Sequence, residues 1–116
     1  MTRAASKAPQ VTRGEWPAYG ATNAAAKYSP LDQIDAGNVA GLKIAWEWNS
    51  PDAEIIKANP GLAPGEFQAT PIMVDGVLYT STAFCQVCAI DPATGRNLWI
   101  HDPGTWKKGK YTSKGM

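Results

Sequence analysis

A tryptophan-bearing segment occurs twice in this chain, and the spacing of the two copies limits the possible folds more than any other feature. Trp46 lies within residues 42–49, and Trp99 follows it by 53 residues, within residues 95–102. Short apparent strands separated by turns fill the interval. Five Trp, four Tyr, 11 Gly and nine Pro in 116 residues also favour strands and turns over helices. We therefore expect an all-β chain with a repeat of about 50 residues.

Each predicted strand rests on side-chain alternation or on turn chemistry. Residues 43–48 place Ile44, Trp46 and Trp48 on one face, which is the period-two pattern of a half-buried strand. Asp75-Gly76 predicts a hairpin turn, because glycine tolerates the positive φ that such a turn requires. The remaining predicted strands are residues 67–74, 77–82, 87–91 and 96–101.

Four strands within one such period are typical of a β-propeller blade, which packs face to face on its neighbours. We expect residues 14–116 to form about one four-stranded antiparallel blade, with an irregular N-terminal segment and the first strand of the next blade. Residues 1–13 lack periodicity and are expected to be a disordered lead-in. An independent 116-residue β protein is the alternative, although a lone blade would expose its tryptophan-bearing faces.

The rest of the chain predicts little regular structure and excludes two classes of partner. Residues 31–42 predict a turn or two of helix at most, and residues 49–66 predict a long excursion between strands. With 11 basic and 10 acidic residues, the net charge of +1 argues against nucleic acid or an anionic membrane as partner. No run of about 18 apolar residues indicates a membrane segment, and the first residues lack the apolar core of a secretory signal.

The cysteines and the single histidine receive structural interpretations. Cys85 and Cys88 cannot complete a four-ligand zinc site alone, and Ala89 stands where a haem-attachment motif needs His. Two structural thiols are the favoured interpretation, and a local disulfide or a redox role stays open. His101 is expected at a sheet edge. The basic residues 106–110 are expected to form a solvated loop.

Residues 89–99 have the form Ala-x-Asp-x-x-Thr-Gly-x-x-x-Trp, and each fixed position has a physical role. Asp91 and Thr94 can hydrogen-bond the amides of a turn, and Gly95 can adopt a left-handed conformation. Trp99 can stack its ring between sheets. The segment, which begins at Ala89, therefore predicts a tight turn followed by a strand that contacts a neighbouring sheet.

That segment resembles, at every fixed position, the tryptophan-docking motif of pyrroloquinoline quinone (PQQ)-dependent dehydrogenases. Those proteins are eight-bladed propellers whose blades are locked together by stacked Trp rings. A second likeness, to the opening of the glucose-dehydrogenase-like quinoproteins, is carried by residues 16–20, 27–34, 38–46 and 67–71 (Trp-Pro-Ala-Tyr-Gly, Lys-Tyr-Ser-Pro-Leu-Asp-Gln-Ile, Asn-Val-Ala-Gly-Leu-Lys-Ile-Ala-Trp and Phe-Gln-Ala-Thr-Pro). The chain thus resembles an N-terminal piece of such a propeller.

The resemblance implies one cofactor-binding residue. In the family, the position of Gln68, just before Ala-Thr-Pro at the start of an inner strand, holds Glu or Gln and contacts the cofactor. PQQ presents carboxylates and carbonyl oxygens, to which a neutral amide can donate without adding negative charge. The alternative is a polar residue that caps the beginning of a strand.

The resemblance also implies an enzymatic activity, a metal ion, an electron acceptor and a cellular location. Family members oxidise a sugar or alcohol hydroxyl and pass electrons through PQQ to a respiratory quinone or cytochrome, with Ca²⁺ or Mg²⁺ beside the PQQ, in the periplasm. Their metal ligands and catalytic base do not map onto this chain, so we expect the chain by itself to be inactive. A non-catalytic propeller that serves as a binding or assembly scaffold is the alternative. The aspartates are assigned to turns or loops and not to catalysis or metal binding: Asp32, Asp52, Asp75, Asp91 and Asp102.

Overall fold

The computed structural model describes residues 14–108, so the predicted lead-in at residues 1–13 lies outside the described part, as do residues 109–116. The strands are β1 (Ile72–Val74), β2 (Val77–Ser81), β3 (Val87–Ile90) and β4 (Asn97–His101). They form one antiparallel sheet in the order β1-β2-β3-β4. A helix, α1 (Asp52–Ala58), and 3₁₀ turns at Val39–Gly41 and Thr105–Lys108 complete the secondary structure of this part. The predicted all-β, four-stranded antiparallel sheet is confirmed.

The hairpin between β1 and β2 forms at the predicted turn. Asp75 and Gly76 have φ angles of 49° and 77°, and Val74 pairs with Val77 across the turn. Two successive positive φ angles match the right-handed twist of the strands on either side. The Asp-Gly dipeptide therefore sets the register of the first two strands.

Residues 43–48 are not a strand, which corrects the prediction made from their alternation. The fourth strand of the sheet is β4, at the predicted strand of residues 96–101. Alternation records the environment of side chains and does not identify a partner for the backbone. Trp46 and Trp48 are half-buried because they contact the turn before β4, whereas Ile44 is 79% exposed.

The ring of Trp46 lies directly on Gly95. A Cβ atom at Gly95 would come within 2.5 Å of Trp46 Cε3, and the φ of Gly95 is 72°. Trp46 Nε1 donates a hydrogen bond to the carbonyl oxygen of Pro92 at 2.8 Å, and Trp48 Nε1 donates to Asn97 Oδ1 at 2.9 Å. Only glycine satisfies both the positive φ and the close approach of the ring.

The turn beneath that ring is held by Asp91 and Thr94. Asp91 accepts hydrogen bonds from the amide of Ala93 at 2.9 Å and from Thr94 Oγ1 at 3.1 Å. Thr94 Oγ1 in turn accepts from the amide of Arg96 at 3.3 Å, and the Gly95 amide donates to the Asp91 carbonyl at 2.8 Å. These side chains replace the strand pairing that the chain loses as it reverses direction.

One face of the sheet carries a small residue between two aromatic rings. Ala89 pairs with Tyr79 on one side and with Trp99 on the other. The two ring centroids are 6.0 Å apart, and Ala89 is fully buried while Trp99 is 49% exposed. The methyl group of Ala89 leaves room for the rings to meet across β3.

The helix α1, which the sequence did not predict, is anchored through a buried carboxylate. Asp52 accepts hydrogen bonds from Thr82 Oγ1 at 2.6 Å, from Gln86 Nε2 at 2.8 Å and from the amide of Phe84 at 3.2 Å. Assigning Asp52 to a loop was wrong, because it begins a helix and is 5% exposed. A buried carboxylate is tolerated when donors of this kind replace its water.

Residues 82–86, which join β2 to β3, form the centre of the described core. Phe84, Cys88 and Thr82 are among the largest fully buried side chains. Trp106 packs on this turn from the other side, with its ring 6.5 Å from that of Phe84. The expected solvated loop at residues 106–110 is therefore wrong for Trp106, which is half-buried; residues 109–110 lie outside the described part.

Both cysteines are free thiols. Cys85 occupies the turn with φ 63°, whereas Cys88 lies within β3. Burial raises the pKa of the Cys88 thiol from 9.0 to about 11, and the charge of Asp52 adds to this rise. The structure therefore favours the structural interpretation over a local disulfide.

Replacement of Asp52 by Asn tests its role as the anchor of α1. An amide keeps the shape of the side chain but leaves at least one buried donor without an acceptor, which costs about 1–3 kcal/mol. We expect a lower free energy of unfolding and faster hydrogen exchange at the Phe84 amide. Glu54→Gln, which removes a charge from an exposed position of the same helix, is the control; equal effects of both substitutions would contradict the anchor.

A pair of glycine substitutions isolates the contact between Trp46 and its turn. Gly76→Ala and Gly95→Ala both place a Cβ atom at a positive φ, but only Gly95 has an atom of another residue within 4 Å. We expect a cost of about 1–2 kcal/mol at Gly76 and about 1–3 kcal/mol more at Gly95. Exchange of the Trp46 indole N–H should accelerate only in Gly95→Ala. Equal losses of unfolding free energy in the two variants would show that the contact of the Trp46 ring with Gly95 does not contribute to stability.

Alkaline titration tests the burial of Cys88. Because its folded pKa is raised, the protonated thiol stabilises the fold below pH 9.0, and this contribution is lost as the pH rises towards about 11. The free energy of unfolding should fall more steeply over this interval in the wild-type chain than in Cys88→Ala. Cys85→Ser should keep the wild-type slope, and an unchanged slope in Cys88→Ala would refute the raised pKa.

Candidate functional site

Gln68 precedes β1 by four residues, at the end of the sheet where β1 begins. It lines a pocket of about 360 Å³ together with Tyr19, Thr70 and Ile72. Its side chain is exposed, and its Nε2 donates a hydrogen bond to Glu66 Oε2 at 2.8 Å. The exposed amide therefore lines the pocket, where a ligand can reach it.

The irregular N-terminal segment supplies one wall of this pocket. Trp16 and Met73 exchange two backbone hydrogen bonds of 2.9 Å, which attach the segment to the free edge of β1. Tyr19, in this segment, is 71% exposed. Lys27 lies over the Tyr19 ring, with Nζ 6.0 Å from the centroid. The wall therefore combines an aromatic surface with a nearby positive charge.

A second pocket lies beside α1. Its volume is about 290 Å³, and Phe67, next in the chain to Gln68, contributes to its lining with Ile56, Pro64 and Ala83. Asp52 also lines it, so the buried carboxylate is close to the pocket as well as to the turn at residues 82–86. The adjacent residues Phe67 and Gln68 thus contribute to two different pockets.

The predicted site residues do not all lie together. Gln68 is at the end of the sheet where β1 starts, and residues 82–86 are at that same end because the strands are antiparallel. Asp91, Thr94 and Gly95 lie at the opposite end, between β3 and β4. The candidate cofactor residue is therefore spatially separate from the turn that Trp46 covers.

The described part offers donors for an organic cofactor and no cluster for a metal. Within residues 14–108, no group of three or more His, Cys, Asp or Glu side chains is placed to hold a metal ion. The amide of Gln68 and the hydroxyl of Thr70 suit a ligand with carboxylate and carbonyl oxygens. These residues fit part of a quinone cofactor such as PQQ. No helix in this part is long and apolar enough to cross a membrane.

Sequence reasoning missed two residues that shape this end of the molecule. Asp52 follows Ser50-Pro51 and precedes Glu54, and proline with acidic residues is a common beginning of a helix. That signal could have located α1 but not the partners of its carboxylate. Nothing in the sequence marked Glu66 as the partner of Gln68.

Comparison with known proteins agrees with this architecture. The family described as "PQQ: Glucose/ethanol/alcohol dehydrogenase, beta-propeller domain" matches residues 16–116. Quinoprotein glucose dehydrogenase A of Acinetobacter calcoaceticus is 41% identical over 85% of this chain and 12% of its own length. Quinohemoprotein alcohol dehydrogenase ADH IIB of Pseudomonas putida is 40% identical over 97% of this chain and 15% of its own length.

A solved structure gives the same result for the fold. The quinohemoprotein alcohol dehydrogenase of Comamonas testosteroni superposes with a TM-score of 0.64 at 36% identity, covering 82% of this chain and 13% of that one. The chain thus spans less than a sixth of each of these relatives. Since the family match extends over most of the sequence, the chain belongs to the PQQ-dependent glucose, ethanol and alcohol dehydrogenase β-propeller family.

Proposed function

We propose that this chain forms part of a quinoprotein dehydrogenase that oxidises a sugar or alcohol hydroxyl to a carbonyl. Membership of the family supports the reaction class, and the relatives named above are glucose and alcohol dehydrogenases. When bound, PQQ accepts the two electrons that leave the substrate. The electrons continue to a respiratory quinone or cytochrome, and the reaction takes place in the periplasm.

The single observation that carries the cofactor assignment is the position of Gln68. Its amide stands at a pocket of about 360 Å³ formed with Tyr19, Thr70 and Ile72. Gln68 binds an edge of the PQQ ring system, and the aromatic ring of Tyr19 and the side chain of Ile72 exclude water from part of it. Calcium or magnesium beside the quinone is part of the proposal, with ligands from outside residues 14–108.

The sheet joins a larger propeller through its tryptophans. Trp46 already rests on Gly95 and donates to the Pro92 carbonyl, and Trp99 is the equivalent residue 53 positions later. Trp99 is half-exposed beside Ala89. We infer that its ring contacts the corresponding turn of a following repeat, so that successive blades are locked by the same contact.

Substitution of Gln68 tests the cofactor assignment. The chain, labelled with ¹⁵N, is titrated with PQQ and followed by NMR, which detects binding as weak as millimolar. The Gln68 side-chain amide and the Thr70 and Ile72 backbone amides should shift, and Gln68→Ala should weaken binding about tenfold through loss of a hydrogen bond to a charged ligand. Gln33→Ala, at an exposed position elsewhere, is the control.

Two results would contradict the assignment. PQQ could perturb resonances away from this pocket, or Gln68→Ala could bind PQQ as tightly as Gln33→Ala. The first result would favour a different site, and the second would leave Gln68 as a residue that only caps the beginning of β1. Absence of any PQQ-dependent shift in the wild-type chain would favour the scaffold alternative.

A further inference from the structure

A neighbouring carboxylate determines which way the Gln68 amide faces. Nε2 of Gln68 donates to Glu66 Oε2 at 2.8 Å. An ionised carboxylate can only accept hydrogen bonds, so the nitrogen and not the oxygen of the amide must face Glu66. The carbonyl oxygen Oε1 is consequently directed away from Glu66. Glu66 thus controls an orientation that an isolated glutamine would leave undetermined.

This orientation limits the ligand groups that Gln68 can bind. A primary amide has two N–H donors and one acceptor oxygen, and one donor is used by Glu66. Gln68 lines the pocket, and Glu66 is not among its lining residues. The amide can therefore offer the ligand its acceptor oxygen and one remaining N–H donor. The complementary ligand edge carries a donor next to an acceptor.

We propose that Glu66 is a positioning residue that orients the Gln68 amide towards the edge of PQQ where the pyrrole N–H lies beside a carboxylate. Oε1 accepts from the ring N–H, and the second N–H of the amide donates to the carboxylate. The inference rests on the proposed function, because it assumes that PQQ enters the pocket beside Gln68. It adds a residue and a binding orientation to that function.

The negative charge of Glu66 weakens PQQ binding, whereas its positioning of Gln68 strengthens it. The test must therefore separate these two effects. A negative charge near the pocket repels the carboxylates of PQQ, although salt screens this effect at an exposed site. Glu66→Gln removes the charge and keeps an acceptor oxygen for Gln68 Nε2, but its own N–H donors can also hold Gln68 Oε1, so it fixes the orientation only in part. Glu66→Ala removes both the charge and the acceptor. If Glu66 affected PQQ binding only through its negative charge, both variants would bind PQQ more tightly than the wild type.

The test titrates PQQ into the ¹⁵N-labelled chain and its variants and follows the Thr70 and Ile72 backbone amides by NMR, together with the Gln68 side-chain amide where that residue is kept. We expect Glu66→Ala to weaken binding about fivefold and Glu66→Gln to bind more tightly than Glu66→Ala, because it keeps an acceptor for Gln68 Nε2 without a charge that repels PQQ. Glu47→Ala, at an exposed glutamate far along the chain from Gln68, is the control. Citrate, a tricarboxylate without a ring N–H, should cause no shift that depends on Glu66. Tighter binding by Glu66→Ala would overturn the proposal.

A double substitution separates this inference from the proposed function. If Glu66 acts through Gln68, Glu66→Ala should have no further effect on PQQ binding in a Gln68→Ala background. Additive losses would show that Glu66 acts on the ligand directly and would overturn the positioning role. Without ligand, the two Gln68 amide protons should be more widely separated than those of exposed Gln33, because one of them bonds a carboxylate, and the separation should fall to the Gln33 value in Glu66→Ala. If this change in the separation of the amide protons is not seen, the positioning role of Glu66 is contradicted and the proposed function is not. If the change is seen but PQQ does not bind, the proposed function is contradicted.

Discussion

The contact of the Trp46 ring with Gly95 is the constraint on which this end of the sheet depends. Four short strands cannot cover both of their own faces, so apolar surface must be covered from elsewhere. Trp46 covers the turn before β4, and its indole N–H is satisfied by the Pro92 carbonyl at 2.8 Å. The bare backbone of Gly95 lets the ring approach, and Asp91 and Thr94 keep the turn in the conformation that receives it. One aromatic side chain thus connects residues that are distant in sequence.

The opposite end of the sheet is organised by a buried charge instead of a ring. Asp52 takes three donors from residues 82–86 and has no cationic partner in the contacts described. Removing one such donor would be costly, because a buried carboxylate needs its hydrogen bonds. Helix α1 and the turn therefore behave as one unit. Since Asp52 and Phe67 line the same pocket, this unit also helps to fix the chain just before Gln68.

Local sequence predicted those parts of the fold that depend on single turns. Asp75-Gly76 and Asp91 to Gly95 could be predicted because their backbone conformations are determined by the residues themselves. The conformation of residues 43–48 could not be predicted in this way. Their alternation indicates which side chains are sheltered from water, and Trp46 is sheltered by its contact with a turn and not by strand pairing. Helix α1 was missed because seven residues with three nearby prolines show no sustained periodicity.

The candidate site was only partly predictable for a related reason. Gln68 was found through a resemblance that covers its own short motif, and its pocket follows from the chain before β1. The pairing of Gln68 with Glu66 depends on how two side chains turn in irregular chain, which no periodicity encodes. The orientation of the Gln68 amide nevertheless follows from chemistry once Glu66 is its partner, because an ionised carboxylate accepts a hydrogen bond only from the amide nitrogen. On the proposed role of Glu66, a residue outside the motif that identifies the family sets the orientation of Gln68, and relatives that share Gln68 but lack an acceptor two residues earlier would present the same amide without a fixed orientation.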